Sequence, residues 1–346
     1  MSVEGDKVEI DPKHLYQRML IAGLGNMEPK EMFQYELCSY PSSLFESSLA
    51  IRTPKDKASL QNGLIKMAPQ SLMNDGVDVQ DMKHVFDGGS LLQRIPWPKY
   101  YTYKSLCDLY VEYLHRNIPN VSPLVGFDGY SSGPSTKDEM HLIREGGVVG
   151  VDVEVDPNMI LNMKKKLFLL GSILQDNGIH TKHAVADADL DIALSACQIA
   201  TTSPVVVVAD DTDVLVLLLH HVKQHHRTII LKTTTKAPIQ VNTMQKELGF
   251  DICSSILFLH AITGCDTVSK PFGLGKMMSI KKAKSLTIYS ATFLEREASC
   301  SDVETAGERA LAVLFGCQDL NAGRKDKFTD KVSKKYVDPE HLSSYC

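Results

Sequence analysis

No stretch of this 346-residue sequence approaches the roughly 20 consecutive apolar residues that a membrane-spanning helix needs. The opening segment, Met1–Pro12, is acidic and polar, unlike the basic start and apolar core of a signal peptide or the Arg-rich composition of a transit peptide. An intracellular protein, nuclear or cytoplasmic and not secreted, with no membrane partner, is the expectation. Eight cysteines are scattered without one Cys-x-x-Cys pair, which argues against a zinc site or a disulfide framework and for reduced thiols. Positive charge is not in excess either. With 37 Lys and Arg against 42 Asp and Glu, the net charge of −5 does not mark the chain as a nucleic-acid binder by composition. Internal repeats and low-complexity tracts are missing too.

What is present reads as an ordinary globular protein. A hydrophobic share of 43% and a charged share of 23% suffice for one elaborated domain or two. Residues 1–81 show mixed helical periodicity broken by Gly23, Gly25, Pro41 and Pro54, and are expected to form a helical extension. From residue 82 onward strands and helices alternate. His84–Asp87, Pro123–Asp128, Val205–Val208 and Thr228–Lys232 read as strands, and Tyr101–His115, Asn158–Asn177, Asp189–Ala200 and Asp251–Thr263 as helices. Four consecutive valines at Val205–Val208 fit a strand buried on both faces. Alternation of this kind implies right-handed crossovers and a mainly parallel sheet, hence an α/β core over 82–268. Residues 269–346 read as a helical region with a basic tail.

Short acidic knots follow several of the apolar segments: Phe86-Asp87-Gly88, Phe127-Asp128-Gly129, Asp187-Ala188-Asp189, Asp210-Asp211-Thr212-Asp213 and Gly264-Cys265-Asp266. One aspartate at a strand-to-helix turn is an ordinary N-cap, and one before a glycine is an ordinary turn residue. Doubled carboxylates exceed what capping needs, and like charges this close are costly without a counter-ion. Strand ends of a parallel sheet converge on one rim. Carboxylates gathered there without cysteine or convergent histidine suit Mg²⁺ or Mn²⁺, two ions in this reading, and a pair of hard divalent ions suits phosphodiester cleavage.

The order and setting of these knots resemble the flap endonuclease-like branch of the 5′-nuclease superfamily, which has a PIN-like fold. That resemblance implies a three-layer fold with a mainly parallel sheet, and metal ligands at Asp87, Asp128, Asp187, Asp189, Asp211, Asp213 and Asp266. Asp187 and Asp189 stand where the family carries glutamates. Lys137 and Arg144, seven residues apart, match a lysine and an arginine that contact the scissile phosphate in the family. Gly273-Leu274-Gly275-Lys276 resembles the turn of a helix–two-turn–helix. There the resemblance implies that Gly273, Gly275 and Lys276 bind one phosphate strand, with a K⁺ ion near Gly273–Gly275. The segment between Arg144 and Asp187 is short for the family's full arch. The runs ADDTDVLVLLLHH and LHAITGCDTVSK also resemble cores shared by a group of animal proteins, for which a mobile-element origin is implied.

The expectation is therefore a monomeric, metal-dependent nuclease acting on structured or single-stranded nucleic acid, DNA ahead of RNA. Two rivals compete with it. One is a PIN-like module that binds nucleic acid or protein without cutting. The other is a phosphatase-like enzyme with a nucleophilic aspartate.

Overall fold

The computed structural model describes residues 58–74, 79, 81–95, 103–118, 122–129, 170–265, 268–271 and 273–316, with residues 50–53 and a few short stretches before them. Two of those short stretches, β1 (Ser2–Val3) and β2 (Asp6–Lys7), pair as an antiparallel ladder.

The chain divides into two compact units. The first to be considered is Lys57–Cys253. Its strands are β3 (Lys83–Asp87), β4 (Leu124–Phe127), β5 (His180–His183), β6 (Val205–Val208), β7 (Ile229–Lys232) and β8 (Ile239–Gln240). Among the described residues they form one sheet in the order β5-β4-β3-β6-β7-β8. The pairings from β5 to β7 are parallel, and only β8 is antiparallel, at the edge. In register, Phe86 lies beside Val208, Val208 beside Lys232, and Phe127 beside His183, so the parallel strands finish close to one line.

Helices cover both faces. Asp87 caps α2 (Gly88–Gln93), which with α3 (Tyr103–Asn117) and a helical segment at 170–176 covers the first face. There Phe86, Val125, Phe127, Val206, Val208 and Ile230 join Leu91, Tyr110, Leu114, Leu170 and Leu174 in one apolar core. On the second face α4 (Asp189–Ile199) lies against β3, β4 and β6, and α5 (Thr212–His221) packs beside it. Gly126 makes this approach possible: a Cβ there would sit 2.7 Å from Ile192 Cγ1. Helices α6 (Val241–Leu248) and α1 (Ala58–Met67) complete that layer. Val205–Val208, sandwiched between the layers, is buried throughout, as a doubly covered parallel strand should be. This is the mainly parallel three-layer α/β architecture that the sequence implied.

Helix α1 and the turn Pro69–Ser71 belong to this unit, with Leu60, Leu64 and Ala68 buried, although the sequence placed them in an extension ending at 81. Strand β5 carries no apolar residue and β8 has two residues; neither was expected.

The second unit comprises Met1–Asp56 and Ser254–Cys346, so the division falls inside α7 (Phe250–Ile262) and not at residue 268. It contains α8 (Lys276–Ile280), α9 (Ala283–Leu294) and α10 (Cys300–Phe315). Phe258 of α7 meets Phe293 of α9 at 4.7 Å between ring centroids. Helix α10 opens on a Ser299/Asp302 capping box and closes on Gly316 at φ 80°. Lys282 donates to the terminal carbonyls of Val313 and Leu314, both at 2.8 Å. No helix among the described residues is long and apolar enough to cross a membrane.

Candidate metal centre

Six of the seven expected carboxylates fall on described residues, and all six stand at the C-terminal rim of the parallel strands. Asp87 is the last residue of β3 and the N-cap of α2, its Oδ1 accepting from Gly89 N at 2.9 Å. Asp128 follows β4, and its Oδ1 accepts from Ala188 N at 2.9 Å, tying the loop before α4 to the end of β4. The same two segments are joined by Gly129 N to Ala186 O at 2.7 Å. Any Cβ on Gly129 would collide with the Ala184 carbonyl, so the small residue is a steric requirement. Asp187 Oδ1 accepts from Asp189 N at 3.1 Å. Asp211 caps α5 by accepting from Asp213 N at 3.0 Å.

These local bonds place three side chains together. Asp189, Asp211 and Asp213 each offer one carboxylate oxygen, and those oxygens lie within 4.8 Å of one another. All three are half-buried. The two helix N-termini come from strands that are not neighbours, β5 feeding α4 and β6 feeding α5, and α4 lies across β4, β3 and β6 beside α5. The rim between β3 and β6 is also where strand order reverses, the usual ligand crevice of an open parallel sheet.

Asp87 senses the same centre. Its carboxyl is pushed up to about 6, chiefly by burial; the amide bonds from Gly89 and Ser90 oppose the rise, and the negative charges of Asp128 and Asp211 add smaller contributions to it. Like charges brought together in a partly desolvated rim make a site that gains from a cation. Three carboxylate oxygens at this spacing could hold a metal ion.

The structure separates the acidic doublets that looked equivalent in sequence. Asp189 belongs to the three-carboxylate group, whereas Asp187 is exposed and accepts from the α4 amide. Asp210, which the sequence gave no role, is engaged elsewhere: Oδ2 accepts from Ser90 Oγ at 2.6 Å and Oδ1 from Thr234 N at 2.6 Å. Arg94 Nη2 stands 3.6 Å from Asp210 Oδ2. The resemblance singled out Asp211 and left Asp210 without a role; composition alone does not separate them, since both follow the same strand.

Lys137, Arg144 and Asp266 lie outside the described residues. In the second unit, Gly273 adopts φ 78°, a left-handed turn conformation, and Gly275 is the N-cap residue of α8. Lys276, expected to contact a phosphate strand, has local partners. It is buried, and its ammonium donates to Gly264 O at 2.6 Å and His260 O at 3.2 Å, closing the carbonyl end of α7.

No protein-family model matches the chain, and no curated protein does. Among solved structures it is similar to the catalytic core of Rad2 in complex with DNA substrate, at 14% identity over 79% of this chain and 78% of that chain, with a TM-score of 0.44. It is similar to T5 D15 protein co-crystallized with metal ions, at 14% identity, 74% and 99% coverage and a TM-score of 0.44. It is also similar to human GEN1 in complex with Holliday junction DNA, at 12% identity, 80% and 66% coverage and a TM-score of 0.46. With TM-scores below 0.5 these likenesses carry no argument; fold and chemistry rest on the strand order and the side chains themselves.

Proposed function

We propose that this chain is a divalent-metal-dependent nuclease that hydrolyses phosphodiester bonds of structured or single-stranded nucleic acid. The observation that supports it most directly is the meeting of Asp189, Asp211 and Asp213 within 4.8 Å at the reversal point of a parallel sheet. Asp87 and Asp128 border the same rim, which leaves room in the reading for two ions.

In this reading Asp189, Asp211, Asp213, Asp87 and Asp128 hold Mg²⁺ or Mn²⁺, with Asp187 and Asp266 completing the ligand set. Bound there, the ions supply a water acidified at neutral pH and a positive field for the leaving oxygen. The protein's own part is positioning. Backbone amides fix one oxygen of Asp87, Asp128 and Asp211, and the partly buried rim keeps bulk water from screening the charges. Lys137 and Arg144 are proposed to contact the scissile phosphate. The Gly273–Gly275 turn is proposed to offer backbone amides, and a K⁺ site, to one phosphate strand.

Asp211→Asn is the decisive variant, because asparagine caps a helix as well as aspartate while lacking its charge. Flap, gapped and single-stranded DNA and RNA are incubated with wild type and variant, with and without Mn²⁺. Cleavage should require the metal and fall at least a hundredfold in Asp211→Asn at unchanged melting temperature. An Asp211→Asn chain cutting as fast as wild type rejects the reading. A wild-type chain that binds branched DNA in EDTA and cuts with no metal favours a silent binding module.

A further inference from the structure

Two aspartates in a row at the end of β6 have different surroundings. Successive residues of extended backbone point to opposite sides. Asp211, at φ −75° and ψ 137°, contributes to the three-carboxylate group. Asp210 binds groups from two other elements. Ser90 Oγ, in the first turn of α2, donates to its Oδ2 at 2.6 Å, and the Thr234 amide, in the turn after β7, donates to its Oδ1 at 2.6 Å. Arg94, at the far end of α2, adds its guanidinium at 3.6 Å and reaches Ser90 Oγ at 3.5 Å.

The placement of α2 matters to the centre. Its N-cap is Asp87, whose oxygen bonds Gly89 one residue before Ser90. One helix is therefore gripped by two acids of different function: Asp87 at its mouth and Asp210 on its first turn. Asp210 is also covalently joined to Asp211. A carboxylate in this position joins β6, α2 and the turn after β7, and sets the relative position of the acids at the ends of β3 and β6.

We propose that Asp210 is a positioning residue, a clasp between Ser90 on α2 and the Thr234 amide that holds Asp87 and Asp211 at metal-binding separation without itself binding the ion. The inference rests on the nuclease reading for its metal, and its first test does not depend on activity.

In the metal-free full-length chain, amide hydrogen exchange is followed for peptides covering 88–94 and 232–236. Asp210→Ala should raise exchange in both peptides and leave α10 unchanged, whereas Ser90→Ala should raise it in 88–94 alone. Mn²⁺ binding is then titrated by the electron paramagnetic resonance of the free ion. Partners that orient metal ligands typically contribute 10- to 100-fold to affinity. Asp210→Ala should accordingly weaken binding roughly tenfold, and Ser90→Ala by less. Asp210→Asn keeps one carbonyl oxygen in the same space and should fall between wild type and Asp210→Ala; it also serves where the alanine variant does not fold. In cleavage, kcat should drop while KM for nucleic acid holds.

Unaltered exchange in 232–236, or Mn²⁺ affinity equal to wild type in Asp210→Ala, overturns the clasp. Loss of binding as complete as in Asp211→Asn, with exchange unchanged, also overturns it, because Asp210 would then be a ligand. A wild-type chain that takes up no Mn²⁺ removes the nuclease reading instead, a separate result.

Discussion

Asp87 is the residue at which the electrostatics of the rim can be measured without any metal. Its carboxyl stands at about 6 against an ordinary 3.8, so between those values the folded chain holds a proton that the unfolded chain has released. The sign follows from linkage: stability of the metal-free protein falls as pH rises through that window, and the full penalty stands above about 6. Urea midpoints in EDTA should be higher at pH 5 than at pH 7, by an amount corresponding to roughly 1 kcal/mol. Asp87→Asn, which retains the bond from Gly89, should flatten the difference and raise stability at pH 7. A wild-type profile that is level or rising from pH 5 to 7, compared with the variant, would show that burial at the rim does not raise the Asp87 carboxyl as described. For the same reason Mn²⁺ uptake by wild type should strengthen as pH passes 6, since the proton and the ion compete for one carboxylate.

At the level of elements, the contact between β4 and α4 decides where Asp189 stands. Gly126→Ala would drive a methyl against Ile192 Cγ1, at 2.7 Å, and push the N-terminal end of α4 away from the rim. Overpacking of this kind costs about 1–3 kcal/mol. Combining it with Ile192→Ala should cost less than the sum of the two single changes, read from chemical denaturation as a coupling energy. Strictly additive costs would mean that the two residues do not touch. The elements readable from sequence are those whose side chains report burial. Val205–Val208 has four β-branched residues and no alternative, and Ile229–Lys232 is nearly as plain. His180–His183 was not readable, because an edge strand with alternating half-exposure can be built from His, Thr and Lys, and nothing apolar marks it. Ile239–Gln240 is too short for any periodicity. The acidic rim was readable for a related reason: doubled aspartates at strand ends exceed what capping requires. Which of Asp187 and Asp189 joins the centre was not, since that depends on which of them the backbone turns toward the neighbouring carboxylates.

For the molecule as a whole, the division into units differs from the division visible in sequence. Helix α1 looked like part of an extension because glycines and prolines interrupt the chain on both sides. Instead Leu60 and Leu64 are buried in the sheet-bearing unit, Lys236 Nζ donates to Gln61 Oε1 at 2.6 Å, and Met73 N donates to Pro238 O at 2.9 Å. Leu64 is fully buried, so Leu64→Ala should destabilise the chain by about 2–5 kcal/mol. Its effect should appear in the unfolding of the unit that holds the acidic rim, seen as a lower temperature of Mn²⁺ release. A Leu64→Ala protein with wild-type melting would place α1 outside the core.

The strand Val205–Val208 has one more consequence, which concerns the chain before it is folded. Four valines in succession are the kind of segment that self-associates when newly made, and a parallel sheet cannot shelter them until distant strands arrive. Pro204 stands directly before them, and Asp210, Asp211 and Asp213 follow within five residues. A rigid imino acid on one side and repelling charge on the other are what restrain aggregation of such a segment. Substitutions that neutralise these acids should therefore lower the yield of soluble protein during synthesis, even where the finished fold tolerates them.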